Sequence, residues 1–433
     1  MNNKLDEISR IRLAEVRGRV VKIIGLVVEC EGPNAAIGEL CTIEQNGKII
    51  CYAEVVGFRE TRTLVMPLGS LEGIRPGMSV AAKGETLTAP VGYQLLGRVL
   101  DGMGSPMDEL GEIKCETYRS IYATPPSAMQ RTRIKEPMFT GLRAIDGFLT
   151  IGRGQRMGIF AGSGVGKSVT MGMIARNCLA KVNVIALIGE RGREVREFIE
   201  KDLGPEGLKR SVVIVATSDQ PALVRLKASF LAMSIAEFFR DSGEDVFFLM
   251  DSTTRLAMAQ REIGLAVGEP PATKGYTPSV FAFLPKLFER AGNSNKGSIT
   301  GLYTVLVDGD DLEDPIADAV RSILDGHIVL SRSLANKNHY PAIDILASIS
   351  RCRTDIASPQ LKELSATLLR SLAVYRKNED LINIGAYAKG SDPEVDVAIK
   401  RHVALDNFLV QGIGENSKHE ATEAALKEIA AIV

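Results

Sequence analysis

The chain has 433 residues, of which 45% are hydrophobic and 24% are charged, and it contains no tryptophan. These values are typical of a globular protein with a sizeable core and room for two or three domains. The formal net charge of −1 excludes bulk electrostatic attraction to nucleic acid or to a membrane surface. The first residues contain no apolar signal region and no run is long enough to span a bilayer, so we expect a cytoplasmic protein.

The N-terminal 88 residues predict two small units. Residues 1–16 carry a weak amphipathic stripe of Leu5, Ile8 and Ile11, which leaves open a frayed helix or a helix that binds a partner. Residues 17–88 alternate short runs rich in valine and isoleucine with turn residues, and Asn46-Gly47 between two such runs is a hairpin signal. Short strands at this spacing predict a small β-barrel domain.

The central region, residues 89–350, alternates apolar strand-like runs with helical patterns. The runs consist almost entirely of apolar residues, which indicates strands buried on both faces of a mostly parallel α/β sheet. They cover residues 157–160, 182–188, 212–216, 246–250, 302–307 and 328–330. Residues 264–279 are rich in glycine, proline and threonine and predict a long exposed loop. Residues 351–433 carry helical patterns, with a helix start at Ser358-Pro359, and predict a helical C-terminal domain.

The octapeptide 161–168 (AGSGVGKS) lies between a strand-like run and a helical pattern that starts at Val169. Glycines let the backbone N–H groups converge on one anion, and the new helix adds its positive end. This context favours a phosphate-binding loop over a flexible turn with a chance lysine, although Ala161 stands where the pattern usually has glycine. The predicted nucleotide-binding residues here are Gly162, Ser163, Gly164, Val165, Gly166, Lys167, Ser168 and Val169.

Two strand ends supply further candidates for chemistry with ATP and Mg²⁺. The hydroxyl of Ser168 would hold the Mg²⁺ ion, and Asp251, which ends an apolar run, would hold it through water. The alternative for Asp251 is a helix N-cap. Glu190 follows another buried strand and is a candidate for positioning the attacking water, with Arg191 as a γ-phosphate contact. Position alone leaves both of these equally open to being surface charges.

Four stretches of the chain resemble a known family. The segment 141–168 and the run 251–255 (DSTTR) resemble the rotary ATPase superfamily of F1 and V1 type. The segment 268–279 (GEPPATKGYTPS) is similar to type III secretion ATPases. The run 330–351, which contains HYPAIDILASISR, is most similar to their flagellar branch. The resemblance extends from about residue 17 to the C-terminus.

The resemblance implies a RecA-like ATPase domain and a homohexameric ring with a nucleotide at each subunit interface. It implies that Glu190 activates water and that Asp251 serves Mg²⁺. Arg191 and Arg255 would lie near the phosphates. Tyr340 would stack on adenine. Arg351 would be an arginine finger that reaches the γ-phosphate of the neighbouring subunit, a contribution worth about 10³–10⁵ in rate. The catalytic residues expected on this basis are Lys167, Glu190 and Arg351.

The family also implies partners and a place in the cell. These are a stator-type regulator at the N-terminus, a central stalk protein, an export gate membrane protein, and export chaperones and substrates, with no nucleic acid. The protein would lie in the cytoplasm, peripheral to the inner face of the cell membrane.

The function expected is ATP hydrolysis that energises flagellar type III protein export. The alternatives are the ATPase of a virulence-type injectisome, a non-catalytic rotary ATPase subunit, and a ring-shaped RNA translocase. Glu190 argues against the non-catalytic subunit, since such subunits usually lack this carboxylate. Few aromatic residues in the N-terminal region (Tyr52 and Phe58) argue against RNA binding.

Overall fold

The computed structural model describes residues 16–307, 309, 311 and 313–433. The partner-binding segment predicted at the N-terminus therefore lies, but for Val16, outside the described residues. The first described region is a closed antiparallel barrel with the strand order β1-β2-β5-β4-β3-β6. Its strands are β1 Arg17–Ile24, β2 Val27–Glu31, β3 Glu39–Gln45, β4 Lys48–Arg59, β5 Arg62–Pro67 and β6 Ser79–Thr86.

The structure confirms the predicted β-barrel and the hairpin predicted within it. Asn46 and Gly47 have φ angles of 50° and 75°, and they connect β3 to its antiparallel partner β4. A two-residue turn with positive φ at both positions matches the right-handed twist of paired strands, which is why Asn-Gly is favoured there. Small apolar side chains such as Val28, Cys41 and Val55 fill the interior and are fully buried.

The central region is a nine-stranded sheet with the order β17-β16-β10-β15-β13-β11-β12-β8 and with β14 paired to β15. All pairs are parallel except β14 with β15 and β16 with β17. Its strands are β8 Val99–Asp101, β10 Arg156–Ala161, β11 Val182–Ile188, β12 Ser211–Ala216, β13 Asp245–Asp251, β14 Gly292–Asn293, β15 Ser298–Leu306, β16 Gly326–Leu330 and β17 Ile343–Ser350. A separate ribbon pairs β7 Thr88–Val91 with β9 Thr117–Ser120.

The structure confirms the predicted strand runs. Their residues are almost all apolar because helices cover both faces of the sheet. Every residue of β11 and of β12 is buried. The helices of the central region are Arg143–Phe148, Lys167–Asn177, Gly192–Glu197, Gly204–Lys209, Ala222–Asp241, Thr253–Val267, Pro278–Phe288, Pro315–Ile323 and Arg332–Asn336, with a π-helical stretch at Phe198–Leu203 and 3-10 turns at Tyr93–Leu95, Ala128–Gln130 and Thr273–Gly275.

The C-terminal region is helical, as predicted. Its helices are Arg353–Ile356, Pro359–Asn383, Pro393–Leu409 and His419–Ala430. Ser358 caps the longest of them, since its side chain accepts a hydrogen bond from Leu361 N at 3.0 Å. In the part of the chain that the structure describes, no helix has the length and apolarity needed to cross a membrane.

The long exposed loop predicted at residues 264–279 is shorter in the structure. The preceding helix runs to Val267, the next begins at Pro278, and Tyr276 and Thr277 are buried. Gly264 remains helical because its missing side chain makes room for Thr277: an added Cβ would lie 2.5 Å from Thr277 Oγ1. A glycine that permits close packing was therefore wrongly interpreted as a loop residue.

Candidate active site

The glycine-rich octapeptide connects the end of β10 to the helix Lys167–Asn177. Gly164 and Gly166 have φ angles of 78° and 88°, conformations that favour glycine and that turn successive N–H groups toward one point. The loop lines a cavity of about 460 Å³, within the range of roughly 300–1,000 Å³ usual for small-molecule sites. All predicted nucleotide-binding residues line it except Val165 and Tyr340. The Val165 side chain is buried in the core, so only its backbone can face a ligand.

Two acidic residues meet the loop lysine at the carboxyl edge of the sheet. The strands β11 and β13 are parallel neighbours with Leu187 opposite Asp251, so Glu190, three residues beyond Leu187, lies at the same edge as Asp251. Lys167 Nζ donates a hydrogen bond to Asp251 Oδ1 and lies 3.7 Å from Glu190 Oε1. The structure thus brings together the three residues that the sequence placed on separate strand ends.

Glu190 is almost fully buried. Loss of hydration raises the pKa of its carboxyl group to about 7, and the negative charge of Asp251 adds to this shift, while Lys167 and Arg255 oppose it. Arg255 Nε lies 3.2 Å from Glu190 Oε1 as an ion pair. A carboxyl group that titrates near neutrality is suited to exchange a proton with a reacting water.

Three further residues shape the site, and the sequence analysis did not name them as functional. Thr304 Oγ1 donates a hydrogen bond of 2.6 Å to Asp251 Oδ1. Gly189 has a φ of 72°, and an added Cβ would lie 2.9 Å from Arg255 Cβ, so glycine lets Arg255 approach. Glu194 lines the cavity and holds the exposed Arg191 guanidinium at 3.1 Å. Thr304 lies inside a buried strand, where nothing in the sequence distinguishes it from a core threonine.

Tyr340 lies next to the glycine-rich loop rather than in the wall of the cavity. It belongs to the connection between β16 and β17, at the same edge of the sheet as the loop. Its ring carbons lie 3.3 and 3.4 Å from the Cβ position of Gly166, and the residue is 39% exposed.

Arg351 lies at the opposite edge of the sheet. It directly follows the antiparallel strand β17, whose last residue, Ser350, pairs with the first residue of β16. Its N–H donates to Asp325 O at 3.0 Å, and Asp325 is paired with Arg156 at the start of β10. Because β10 spans six residues, its two ends lie about 16 Å apart at roughly 3.3 Å per residue. Arg351 is exposed there, away from the phosphate loop of its own chain.

This fold and this site define a P-loop nucleotide-binding protein of the RecA-like, rotary ATPase type. Family models match in all three regions. The β-barrel domain of the ATP synthase alpha/beta family matches residues 20–84, and the nucleotide-binding domain of that family matches 141–350. The C-terminal domain of the T3SS EscN ATPase matches residues 357–428.

Curated relatives cover nearly the whole chain. A flagellum-specific ATP synthase of Bacillus subtilis (strain 168) is 56% identical over 95% of this chain and 94% of the relative. A type 3 secretion system ATPase of Xanthomonas euvesicatoria is 49% identical over 98% of this chain and 96% of the relative. The solved structure of the assembled ATPase EscN of enteropathogenic E. coli superposes with a TM-score of 0.92 at 46% identity, over 96% of this chain and all of that one. The chain belongs to the family of flagellar and type III secretion ATPases, within the ATP synthase alpha/beta family.

Proposed function

We propose that this ATPase energises flagellar type III protein export, releasing or unfolding export substrates and chaperones at the export gate. The observation that carries the catalytic part is the meeting of Lys167, Glu190 and Asp251 at one edge of the sheet, beside a glycine-rich anion cradle. The flagellar part is supported by relatives named flagellum-specific ATP synthase in Bacillus subtilis, Treponema pallidum and Pseudomonas aeruginosa, at 56%, 52% and 49% identity.

The loop residues 162–169 would cradle the phosphates of ATP, with Lys167 reaching the β- and γ-phosphates. Ser168 lines the cavity and the carboxylate of Asp251 contacts Lys167, so residues with oxygen donors of the kind that Mg²⁺ prefers flank the phosphate site. When bound, Mg²⁺ would neutralise charge on the β- and γ-phosphate oxygens. Thr304 would keep Asp251 oriented.

Glu190 would orient and polarise the attacking water. Its Oε1 lies 3.7 Å from Nζ of Lys167, the group proposed to reach the γ-phosphate, and Arg255 Nε lies 3.2 Å from the same oxygen. Arg191 would contact the γ-phosphate from the exposed rim, and Tyr340 would stack on adenine. These groups act by positioning and by electrostatics, which is how phosphoryl transfer is catalysed in P-loop enzymes.

Arg351 would complete the site of a neighbouring copy in a homohexamer. This proposal is supported by its exposed position away from its own cradle, and by a relative whose structure is of the assembled ATPase EscN. A second structure, at 45% identity, shows EscN in complex with its central stalk EscO, which supports a stalk partner for this chain. We further propose a stator-type regulator at the N-terminus, an export gate membrane protein, and a location in the cytoplasm at the inner face of the cell membrane.

The domain limits that fit this function are 17–88 for the barrel, 89–350 for the ATPase domain and 351–433 for the helical domain.

A second candidate function is the ATPase of an injectisome, favoured by the relative from Xanthomonas euvesicatoria and by EscN. The two candidates share the same chemistry and differ only in the cargo that is exported.

Replacing the gene by its Glu190→Gln variant in its own host tests the proposal. We expect flagellar filament protein to disappear from the culture medium, while the variant protein is present at its normal level. The matched control is Arg196→Ala, an exposed position whose guanidinium pairs with the exposed Glu200. Loss of other secreted proteins with intact flagella would select the injectisome, and unchanged secretion of both would reject an export function.

A further inference from the structure

The residue before Tyr340 is held by the C-terminal helical region. His339 is 5% exposed, and its Nδ1 lies 2.9 Å from Oδ1 of Asp406, which belongs to the helix Pro393–Leu409. Its backbone N–H donates to Leu334 O at 3.0 Å, so the main chain of the β16–β17 connection is also fixed at this point. The His339 side chain is therefore one tie between the helical region and the segment that carries Tyr340.

A second tie holds Tyr340 itself. Gln411 N donates to Tyr340 O at 2.9 Å. Gln411 is almost fully buried, and its side chain accepts from Arg143 N at 2.8 Å and donates to Gly141 O at 2.7 Å. Gln411 is thus fixed to residues 141–143 of the ATPase domain. The Tyr340 main chain is held between this anchor and the His339–Asp406 pair.

The surroundings of His339 explain why its position depends on Asp406. Its ring lines a cavity of about 420 Å³ between β17 and the helices Pro359–Asn383 and Pro393–Leu409. His402 also lines this cavity and is stacked on Tyr375 at 3.6 Å between ring centroids. Among the residues that the structure describes, His339 Nε2 has no hydrogen-bond partner. Among the described residues, the contact with Asp406 through Nδ1 is therefore the hydrogen bond that orients this buried ring.

We propose that His339, held by Asp406, is a positioning residue that keeps the Tyr340 ring over Gly166 in the place where adenine binds. The helical region then contributes to nucleotide affinity through the base, although it does not contact the phosphate cradle. This inference rests on the proposed function, in which Tyr340 stacks on adenine. By linkage, a partner that shifts the helix Pro393–Leu409 alters ATP affinity, and ATP alters the affinity for that partner.

Loss of the His339–Asp406 contact should change the KM for ATP rather than kcat. Losing one hydrogen bond of ordinary strength should weaken binding of the base by about 2- to 13-fold. The phosphate cradle keeps its geometry, because neither residue touches it. The variants should therefore raise the KM for ATP and leave kcat within about twofold, which is the signature of lost uniform binding.

Steady-state ATPase assays on the full-length protein test this with Asp406→Ala, His339→Gln and His339→Asn. The amide of asparagine sits where the Nδ1 of histidine sits and can still donate to Asp406, whereas the longer glutamine places its amide nearer the Nε2 position. We expect a raised KM for Asp406→Ala and His339→Gln, and a KM near that of the native protein for His339→Asn. The matched control is Glu394→Ala, an exposed carboxylate on the same helix.

Inorganic tripolyphosphate, which has no base, distinguishes a change in the position of Tyr340 from a general loosening of the nucleotide site. Its inhibition constant should be unchanged in all of these variants. A tripolyphosphate constant that weakens as much as the KM for ATP would overturn the inference, because the cradle itself would then have moved. An unchanged KM in Asp406→Ala and His339→Gln, together with a raised KM in Tyr340→Ala, would also overturn it and leave the proposed function standing. An unchanged KM in Tyr340→Ala would instead reject the stacking role on which the inference rests.

Discussion

The two edges of the central sheet carry different halves of the chemistry. At the carboxyl edge, the phosphate loop, Glu190 and Asp251 surround Lys167; the two carboxylates are almost entirely buried, while part of the loop is exposed. At the opposite edge, Arg351 is exposed and is tied to its surroundings by a backbone hydrogen bond to Asp325. The carboxyl edge holds the phosphate loop and two carboxylates, and the opposite edge presents the exposed Arg351.

This contrast supports the proposal that one chain carries parts of two sites. We expect this cradle to bind a nucleotide within one subunit, since parallel strands fix its geometry. A cation at the far edge, about 16 Å away along β10, can act only on a nucleotide held by another copy. The comparison therefore predicts that a single chain binds ATP, whereas hydrolysis requires an assembly of chains.

The largest expected effect comes from removing the cation at the far edge. Arg351→Ala should lower kcat by about 10³–10⁵, because a trans arginine stabilises charge that develops in the transition state. ATP binding should be retained, since the cradle is intact. Steady-state kinetics and equilibrium nucleotide binding measure the two quantities, and Arg196→Ala is again the matched control.

Mixing Arg351→Ala with Lys167→Ala sharpens the same comparison. In a mixed ring, the intact cradle of the first variant can lie beside the intact Arg351 of the second. Activity should therefore reappear in the mixture although each variant alone is inactive. A mixture that stays inactive at every ratio would count against a site shared between chains.

A smaller effect is expected from a substitution at the carboxyl edge of the sheet. Glu190→Gln should lower kcat by about 10²–10⁴, the usual contribution of a group that moves a proton or orients water. ATP affinity should stay close to that of the native protein, because the phosphate loop is untouched. Turnover near the native rate would reject Glu190 as the residue that activates water.

The smallest expected effect is a dependence on pH. The raised pKa of Glu190, about 7, means that the carboxyl group is protonated below neutrality and ionised above it. Only the ionised form can polarise water, so kcat should fall about tenfold when the pH is lowered from about 8 to about 6. A rate profile that is flat over this range would show that another group sets the rate.

The carboxyl edge was largely predictable because its residues follow apolar strands or a glycine pattern. Lys167 and Asp251 could be found from such local signals alone. Glu190 was equally well explained as a surface charge until the family resemblance was considered, because nothing local shows which neighbours its carboxylate meets.

The rest of the site depends on contacts between distant segments. Arg351 and Tyr340 were named only from the resemblance, and the arrangement that places them comes from the antiparallel pairing of β16 with β17. Thr304 and Gly189 matter through contacts with Asp251 and Arg255, which no local pattern records. The same limit explains the loop predicted at 264–279, where Gly264 serves packing rather than a turn.

The most direct test of a site shared between chains is the ATPase rate per chain as a function of protein concentration, with mass photometry on the same samples. The account predicts that specific activity rises steeply where a species of six-fold mass appears, and that dilute monomers bind ATP but hydrolyse it poorly. Full specific activity carried by monomers at all concentrations would contradict it, because Arg351 could not then act in trans.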